Sequence, residues 1–318
     1  MPAAVELLAR QKILITGGRG FIGTNLIRRI GDRNPATEFV VLDNDSMAVS
    51  GLVSDGNVSD HRGDVRDLAA LRRAADGCTA IVHLAAQTRV VESIEDPELS
   101  FEVNARGTLN VLLAARDAGI RHLVLASTGG AMFGDGDGPI HEDMLPKPSS
   151  PYGASKLAME AYAHAFAGSY GLQSAVLRFT NVYGPYSELK GSVIAHLLRR
   201  ILAREPITIF GDGSQARDFV FVDDLCDGII RAMDVKASGV FHLGSGIPTT
   251  LTELLDKVGR VVGPDWPLEV RYAPWRVGEV RRTHSNISKA SEAFQYSPRT
   301  ELEAGLQATW QWFVAQGR

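Results

Sequence analysis

Lys12-Ile-Leu-Ile-Thr-Gly-Gly-Arg-Gly-Phe-Ile-Gly23 decides the reading of this chain. Its apolar run breaks into spaced glycines, the pattern of a phosphate-binding strand–turn–helix. Ile13, Leu14 and Ile15 read as a buried parallel strand. Gly17, Gly20 and Gly23 follow in a G-x-x-G-x-x-G spacing and lead into Thr24-Asn-Leu-Ile-Arg-Arg-Ile30, which has helical character. One glycine permits the tight turn, one lets backbone approach a pyrophosphate, and one lets the helix pack on the strand, with the helix N-terminus toward the anion. Glycine-rich turns are common in α/β proteins, so the pattern needs its context. That context is a second apolar run, Phe39-Val-Val-Leu42, ending in Asp43, 20 residues after Gly23. An acid there accepts hydrogen bonds from the adenosine ribose and repels a 2′-phosphate, which favours NAD over NADP.

The 318 residues suffice for one large α/β domain and a smaller one, and 45% hydrophobic with 7% aromatic residues is an ordinary globular composition. The net charge of −4 comes from interspersed acids and bases without a basic block. Nucleic acid and anionic membrane are therefore not the expected partners, and substrate anions must be met by local arginines. Cys78 and Cys226 are too few for a disulfide framework, no charged-then-apolar segment opens the chain, and no run approaches about 20 apolar residues. The expectation is a soluble cytoplasmic protein with no metal site.

Beyond Asp43, a polar loop is expected to Asp60. His61-Arg-Gly-Asp64-Val65 then places a carboxylate near a strand end, where it can meet an adenine amino group or stand as a solvated loop acid. Leu68 to Ala75 reads as a helix and Ala80-Ile-Val-His-Leu-Ala-Ala-Gln87 as a buried strand whose small residues let a cofactor lie close. Glu102 to Gly119 reads as a helix, and His122-Leu-Val-Leu-Ala126 as a strand ending in Ser127-Thr128. Strands alternating with helices at this spacing predict a Rossmann-type, doubly wound parallel sheet with its ligand crevice at the carboxyl ends of the strands. Ser149-Ser150-Pro151 supplies caps and an N1 proline before the helix that begins Tyr152-Gly-Ala-Ser-Lys156. Ser174 to Phe179 reads as a strand and Thr180 to Pro185 as a turn that leaves the first domain. Helices are expected over 192–203, 225–233, 251–262 and 301–313, and strands over 207–210, 219–222 and 240–243, with a turn at Gly211–Gly213. The domain division expected is 1–181 for the dinucleotide, with 214–245 returning to it, and 182–318 mainly for the substrate in a smaller α/β domain.

Tyr152 and Lys156 lie four residues apart and share a helix face. A phenol with an ordinary pKa of about 10 needs nearby positive charge to act as a base at neutral pH. Lys156 and an oxidised nicotinamide supply that charge, and Ser127 or Thr128 can share the hydroxyl's hydrogen bond.

With these motifs in place, the chain resembles the extended short-chain dehydrogenase/reductase family, and most closely its nucleotide-sugar 4-epimerases of the UDP-galactose 4-epimerase type. The resemblance runs through Thr16–Gly23, Leu42-Asp-Asn44, Gly63-Asp-Val65, His83–Gln87, Asn104, Tyr152 with Lys156, Leu177–Pro185, Phe210–Phe219 and Arg276-Val-Gly-Glu279. It implies that Tyr152 takes the proton of the sugar 4-hydroxyl while C4 gives hydride to NAD, and that the 4-keto sugar turns over and receives the hydride on its other face. It also assigns Gly17, Gly20, Phe21, Ile22, Gly23, Asp43, Asn44, Asp64, Val65, Leu84, Ala85, Ala86, Asn104 and Phe179 to the cofactor, together with Tyr152 and Lys156. Asn181, Arg217 and Arg276 fall to the substrate diphosphate, Phe210 to the nucleobase, and Thr88, Glu279 and Thr283 to the remaining substrate contacts.

Three positions depart from the family pattern. Gly129 stands where many of these epimerases carry a third hydroxyl residue, so Thr128, in preference to Ser127, is expected to serve. Phe133-Gly134 replaces the usual Tyr-Gly, and Glu279 replaces a common aspartate. The related 4,6-dehydratases carry an Asp-Glu pair where Gly129-Gly130 stand, which disfavours that activity; a decarboxylase or a UDP-glucuronate 4-epimerase on the same fold is the remaining enzyme alternative. An NAD-binding sensor would be expected to lack the Tyr–Lys pair. The family also implies a homodimer through 102–119 and 151–168. The small Thr283 implies room for an N-acetyl group on a UDP-hexose type of substrate.

Overall fold

In the computed structural model, which describes residues 11–49, 56–133, 138–275 and 281–317, Lys12–Thr16 forms β1. Its Ile13, Leu14 and Ile15 are wholly inaccessible, as expected of a central strand covered on both faces. The chain continues through α1 (Phe21–Arg33), β2 (Glu38–Asp43), β3 (Val58–Arg62), α2 (Leu68–Ala75), β4 (Ala80–His83), α3 (Val90–Glu95) and α4 (Pro97–Ser100). A π-helical stretch, Phe101–Arg106, runs into α5 (Gly107–Asp117), followed by β5 (His122–Thr128), α6 (Pro151–Tyr170), β6 (Gln173–Phe179), β7 (Asn181–Tyr183) and α7 (Val193–Leu202). The remainder comprises β8 (Ile207–Phe210), β9 (Ala216–Phe221), α8 (Val222–Asp234), β10 (Gly239–Leu243), β11 (Pro248–Thr250), α9 (Leu251–Val262), β12 (Val270–Ala273), β13 (Arg282–Thr283), α10 (Ser288–Phe294) and α11 (Leu302–Gln316).

Seven parallel strands lie in the order β3-β2-β1-β4-β5-β6-β10. Strand order reverses between β1 and β4, the switch point at which doubly wound sheets bind ligands beyond their carboxyl ends. Residues of α1 and α8 bury one face of this sheet, and those of α2, α5 and α6 the other. A second core joins α7, α9 and α11 to β8 and β9. There β9 pairs with β7, β11 and β13, and β8 pairs with β12. Segment 214–245 is divided between the two sheets: β10 joins the large one, whereas β9 is the centre of the small one. Among the described residues, no helix is long and apolar enough to cross a membrane.

Several boundaries differ from the sequence reading. The polar loop after Asp43 gives way to β3 at Val58, because Phe39 to Asp43 offer a parallel edge to Val58–Arg62. The strand expected over 80–87 ends at His83, where its partner β1 also ends. The helix expected from 102 begins as the π-helical stretch. Residues 181–183 of the expected turn pair with β9, and Val222, expected to end a strand, opens α8. Met1–Arg10, Gly134, Arg276 and Glu279 lie outside the described residues.

Candidate active site

The glycine turn leaves β1 with Gly17 at φ +71°, where a side chain is strained, and a Cβ there would stand 2.7 Å from the Ala85 nitrogen. A Cβ on Gly23 would meet the Gly18 Cα at 2.5 Å. Turn, strand end and helix can therefore close on one another only with glycine at both positions. Gly20 caps α1 in extended conformation with no side-chain cap, and the first turn holds no acid. The N–H groups of Phe21, Ile22 and Gly23, which precede the first intrahelical bond from Thr24 to Gly20, thus open toward the crevice. That is a cradle for a pyrophosphate, and its donor set fits a dinucleotide.

Asp43 ends β2 and is buried. Its carboxylate accepts the backbone N–H groups of Arg19 at 3.0 Å and Asp45 at 2.9 Å, while burial raises its pKa. It thereby ties the glycine turn to β2 and keeps spare lone pairs for ribose hydroxyls. The Arg19 side chain pairs with Asp60 at 2.7 Å and Asp45 at 3.3 Å. Asn44 donates to Asp64, and Arg66 holds the Asp64 carboxyl down at about 2 through paired hydrogen bonds. Val65 is fixed from behind, its carbonyl accepting from Asn110.

Leu84, Ala85 and Ala86 are half-buried past the end of β4, and Thr88 is exposed. Asn104 clamps this segment: its Oδ1 accepts from the Gln87 N–H at 2.9 Å, and its Nδ2 donates to the Gln87 carbonyl and to Ser155 Oγ, each at 3.0 Å. The amide is committed to these protein partners. His83 is buried between Thr16 Oγ1 at 2.6 Å and Thr108 Oγ1 at 3.1 Å; burial, then the charge of Lys156, pushes its pKa down to about 3.

Ser150 caps α6 by accepting the Gly153 N–H at 3.2 Å, and Pro151 takes the first helical position. Tyr152 then lies near the end of β5, where the Thr128 hydroxyl favours its phenolate. Burial raises the Tyr152 pKa to about 12, and Thr128 opposes the shift. One turn on, buried Lys156 donates from Nζ to the Ala126 carbonyl at 2.9 Å. Burial lowers its pKa to about 8, and Glu160 opposes the shift. Strand alternation separates the two candidate hydroxyls. Ser127 points to the other face and donates to Glu160 Oε1 at 2.6 Å, so Thr128 alone of the pair meets Tyr152. Glu160 in turn forms a buried ion pair with Arg178 at 2.7 Å, and the Arg178 guanidinium lies 5.2 Å from the Phe133 ring centroid.

Phe179 ends β6 in register with Thr128, and Asn181 opens β7, its Nδ2 donating to the Asp218 carbonyl at 3.3 Å. Arg217 is half-buried on β9 and donates to the carbonyls of Ala216 and Arg281. Thr283 lies opposite it on β13 and is buried. Phe210 is half-buried at the end of β8, its carbonyl held by Gln215. The residue the sequence reading missed is Asp218. Almost wholly inaccessible, it accepts from the N–H and Oγ of Ser245, both at 2.7 Å, from Gly246 N–H at 3.1 Å and from Ser285 N–H at 3.2 Å. One carboxylate thus staples β9 to the loop after β10 and to the segment after β13. Glu160 was missed too, although its spacing of four from Lys156 was a usable signal.

These elements define a dinucleotide-binding α/β protein with a phenol–ammonium pair at the switch-point end of its sheet. The chain belongs to the NAD dependent epimerase/dehydratase family, whose model matches residues 13–244. It is 34% identical over 311 residues to a UDP-glucose 4-epimerase of Mycolicibacterium smegmatis, covering 95% of this chain and 98% of that one. The solved UDP-glucose 4-epimerase of Thermotoga maritima with UDP-glucose superposes with TM-score 0.91 at 33% identity, over 97% of this chain and all of that one (100%). The UDP-glucose 4-epimerase of Thermus thermophilus in complex with NAD gives 0.88 at 36% identity, over 96% and 99% of the two chains.

Proposed function

We propose that this chain epimerises a nucleotide sugar at C4 through a transient 4-keto sugar, with UDP-glucose and UDP-galactose as the substrate pair. The observation that carries the reading is the buried Tyr152 phenol near the Thr128 hydroxyl, with Lys156 one turn away and bound to the Ala126 carbonyl, at the carboxyl end of β5. NAD, when bound, supplies the acceptor for hydride from C4 and returns it. Tyr152 removes the 4-hydroxyl proton and later restores it. Thr128 holds the phenol oxygen in place, and the Lys156 ammonium favours the phenolate, which burial alone would suppress.

Residues 1–181 form the dinucleotide side of this reading and 182–318 most of the sugar-nucleotide side. Arg217, beside Asn181, suits bidentate capture of a diphosphate, and Phe210 suits a base. Arg276 and Glu279 belong to the same proposal by the family resemblance. Gly129 and Gly130 offer no acid–base pair for elimination, which favours epimerisation over dehydration. Adding UDP-glucose to the purified protein should produce slow NADH-like near-ultraviolet absorbance; a spectrum unchanged by either UDP-hexose would refute the reading. We further propose a homodimer, because Leu99, Phe101 and Tyr162 expose large apolar side chains on α4, the π-helical stretch and α6. Light scattering at micromolar concentration should give twice the chain mass, and a monomer mass excludes it.

A further inference from the structure

Tyr152, Lys156 and Glu160 are spaced by four residues along α6 and share one face of it. The first two carry the proposed proton transfer. Glu160 touches neither sugar nor cofactor in that scheme, yet it is buried beside them. Lys156 and Glu160 hold consecutive residues of β5, through Ala126 O at 2.9 Å and Ser127 Oγ at 2.6 Å. Behind Glu160 stands Arg178 of β6, in register with Ser127, binding it through Nε at 3.0 Å and Nη2 at 2.7 Å. The polar row continues to His242 of β10, in register with Arg178 and kept neutral chiefly by burial.

We infer that Glu160 is a positioning residue for the proton transfer, acting as the buried counter-ion that keeps Lys156 charged and aimed at the strand end, while Arg178 holds the Glu160 carboxylate in place. The inference rests on the proposed epimerase reading. Lys156 is faced by Tyr152 on its own helix, by His83 of β4, which is neutral, by the hydroxyls of β5, and by Glu160 with Arg178 of β6 beyond it. Desolvation already brings the ammonium down to about 8, and Glu160 opposes that fall. A further fall would discharge the lysine near neutral pH and leave Tyr152 as a buried phenol without the cation that makes it a base. This also explains why Ser127 is turned from the substrate: it is a third ligand of the Glu160 carboxylate.

The test is the pH profile of NADH-like absorbance growth after mixing the NAD-loaded enzyme with UDP-glucose. Glu160→Gln keeps an acceptor for Ser127 but removes the charge. Its alkaline limb should move down by about one pH unit, a loss of up to roughly tenfold at alkaline pH that more acidic buffer restores. Because that variant leaves Arg178 buried without a counter-charge, Glu160→Gln/Arg178→Leu serves as the second variant, removing both charges, and should show a downward shift of the same limb as well. An alkaline limb unmoved in the folded double variant, or a rate loss equal at every pH, would overturn the inference. Failure of the epimerase reading looks different, since the wild-type protein would then give no absorbance at any pH.

Discussion

The sides of this molecule proposed for the dinucleotide and for the sugar are built by opposite means. The first is a sheet of long parallel strands whose ends are fixed by close backbone approach, Gly17 against Ala85 and Gly23 against Gly18. The second is assembled from β7, β9, β11 and β13, two of which are three residues long and one only two. Strands so short contribute few ladder bonds. The arrangement there depends on one buried carboxylate, Asp218, collecting donors from two separate segments. In the proposed division, chemistry is thus anchored in many redundant contacts, whereas substrate placement hangs on few. Damage to the first side should abolish turnover with the fold intact, and damage to the second should alter affinity and selectivity.

The sharpest way to break that division is Tyr152→Phe. Removing the proton-transfer group should lower turnover roughly 10²–10⁴-fold while NAD stays bound, because every other dinucleotide contact is kept. Cofactor content after gel filtration and steady-state rates measure both halves; near-wild-type turnover would remove Tyr152 from the mechanism.

Asp218→Ala comes next in size. It strands the buried N–H groups of Ser245, Gly246 and Ser285, each worth roughly 1–3 kcal/mol when unsatisfied. KM for the nucleotide sugar should rise about 10–100-fold and the melting temperature should fall, with NAD content little changed. A variant that lost NAD but kept its KM would reverse the assignment of the two sides.

The smallest effect sharpens the comparison within the sugar side. Thr283 is buried in register with Arg217, so Thr283→Tyr should reduce turnover of UDP-N-acetylhexosamines at least about tenfold relative to UDP-hexoses. An unchanged ratio of the two activities would show that Thr283 only packs β13.

The same contrast governs what the sequence made legible. Asp43, Tyr152 and Lys156 could be placed because strand ends and four-residue helix spacing are local rules. The preference for Thr128 over Ser127 came from the family resemblance, because a strand read as ending at Ala126 gave no physical ground for it; extension of β5 through Thr128 turns the two to opposite faces. Asp218 was hidden because its partners Ser245 and Ser285 lie 27 and 67 residues away. The strands β11, β12 and β13 and helices α3, α4 and α10 were passed over, being only two to seven residues long, too short to show a period. The π-helical stretch was read as ordinary helix, since its apolar spacing fits either winding.

The central claim is that hydrogen leaves C4 as hydride and returns to the same carbon while Tyr152 moves only the hydroxyl proton. Incubating the NAD-loaded enzyme with UDP-glucose in deuterated water and reading the product by proton NMR tests it directly. The account predicts UDP-galactose with its C4 hydrogen undeuterated; UDP-galactose carrying deuterium at C4, or no UDP-galactose at all, would contradict it.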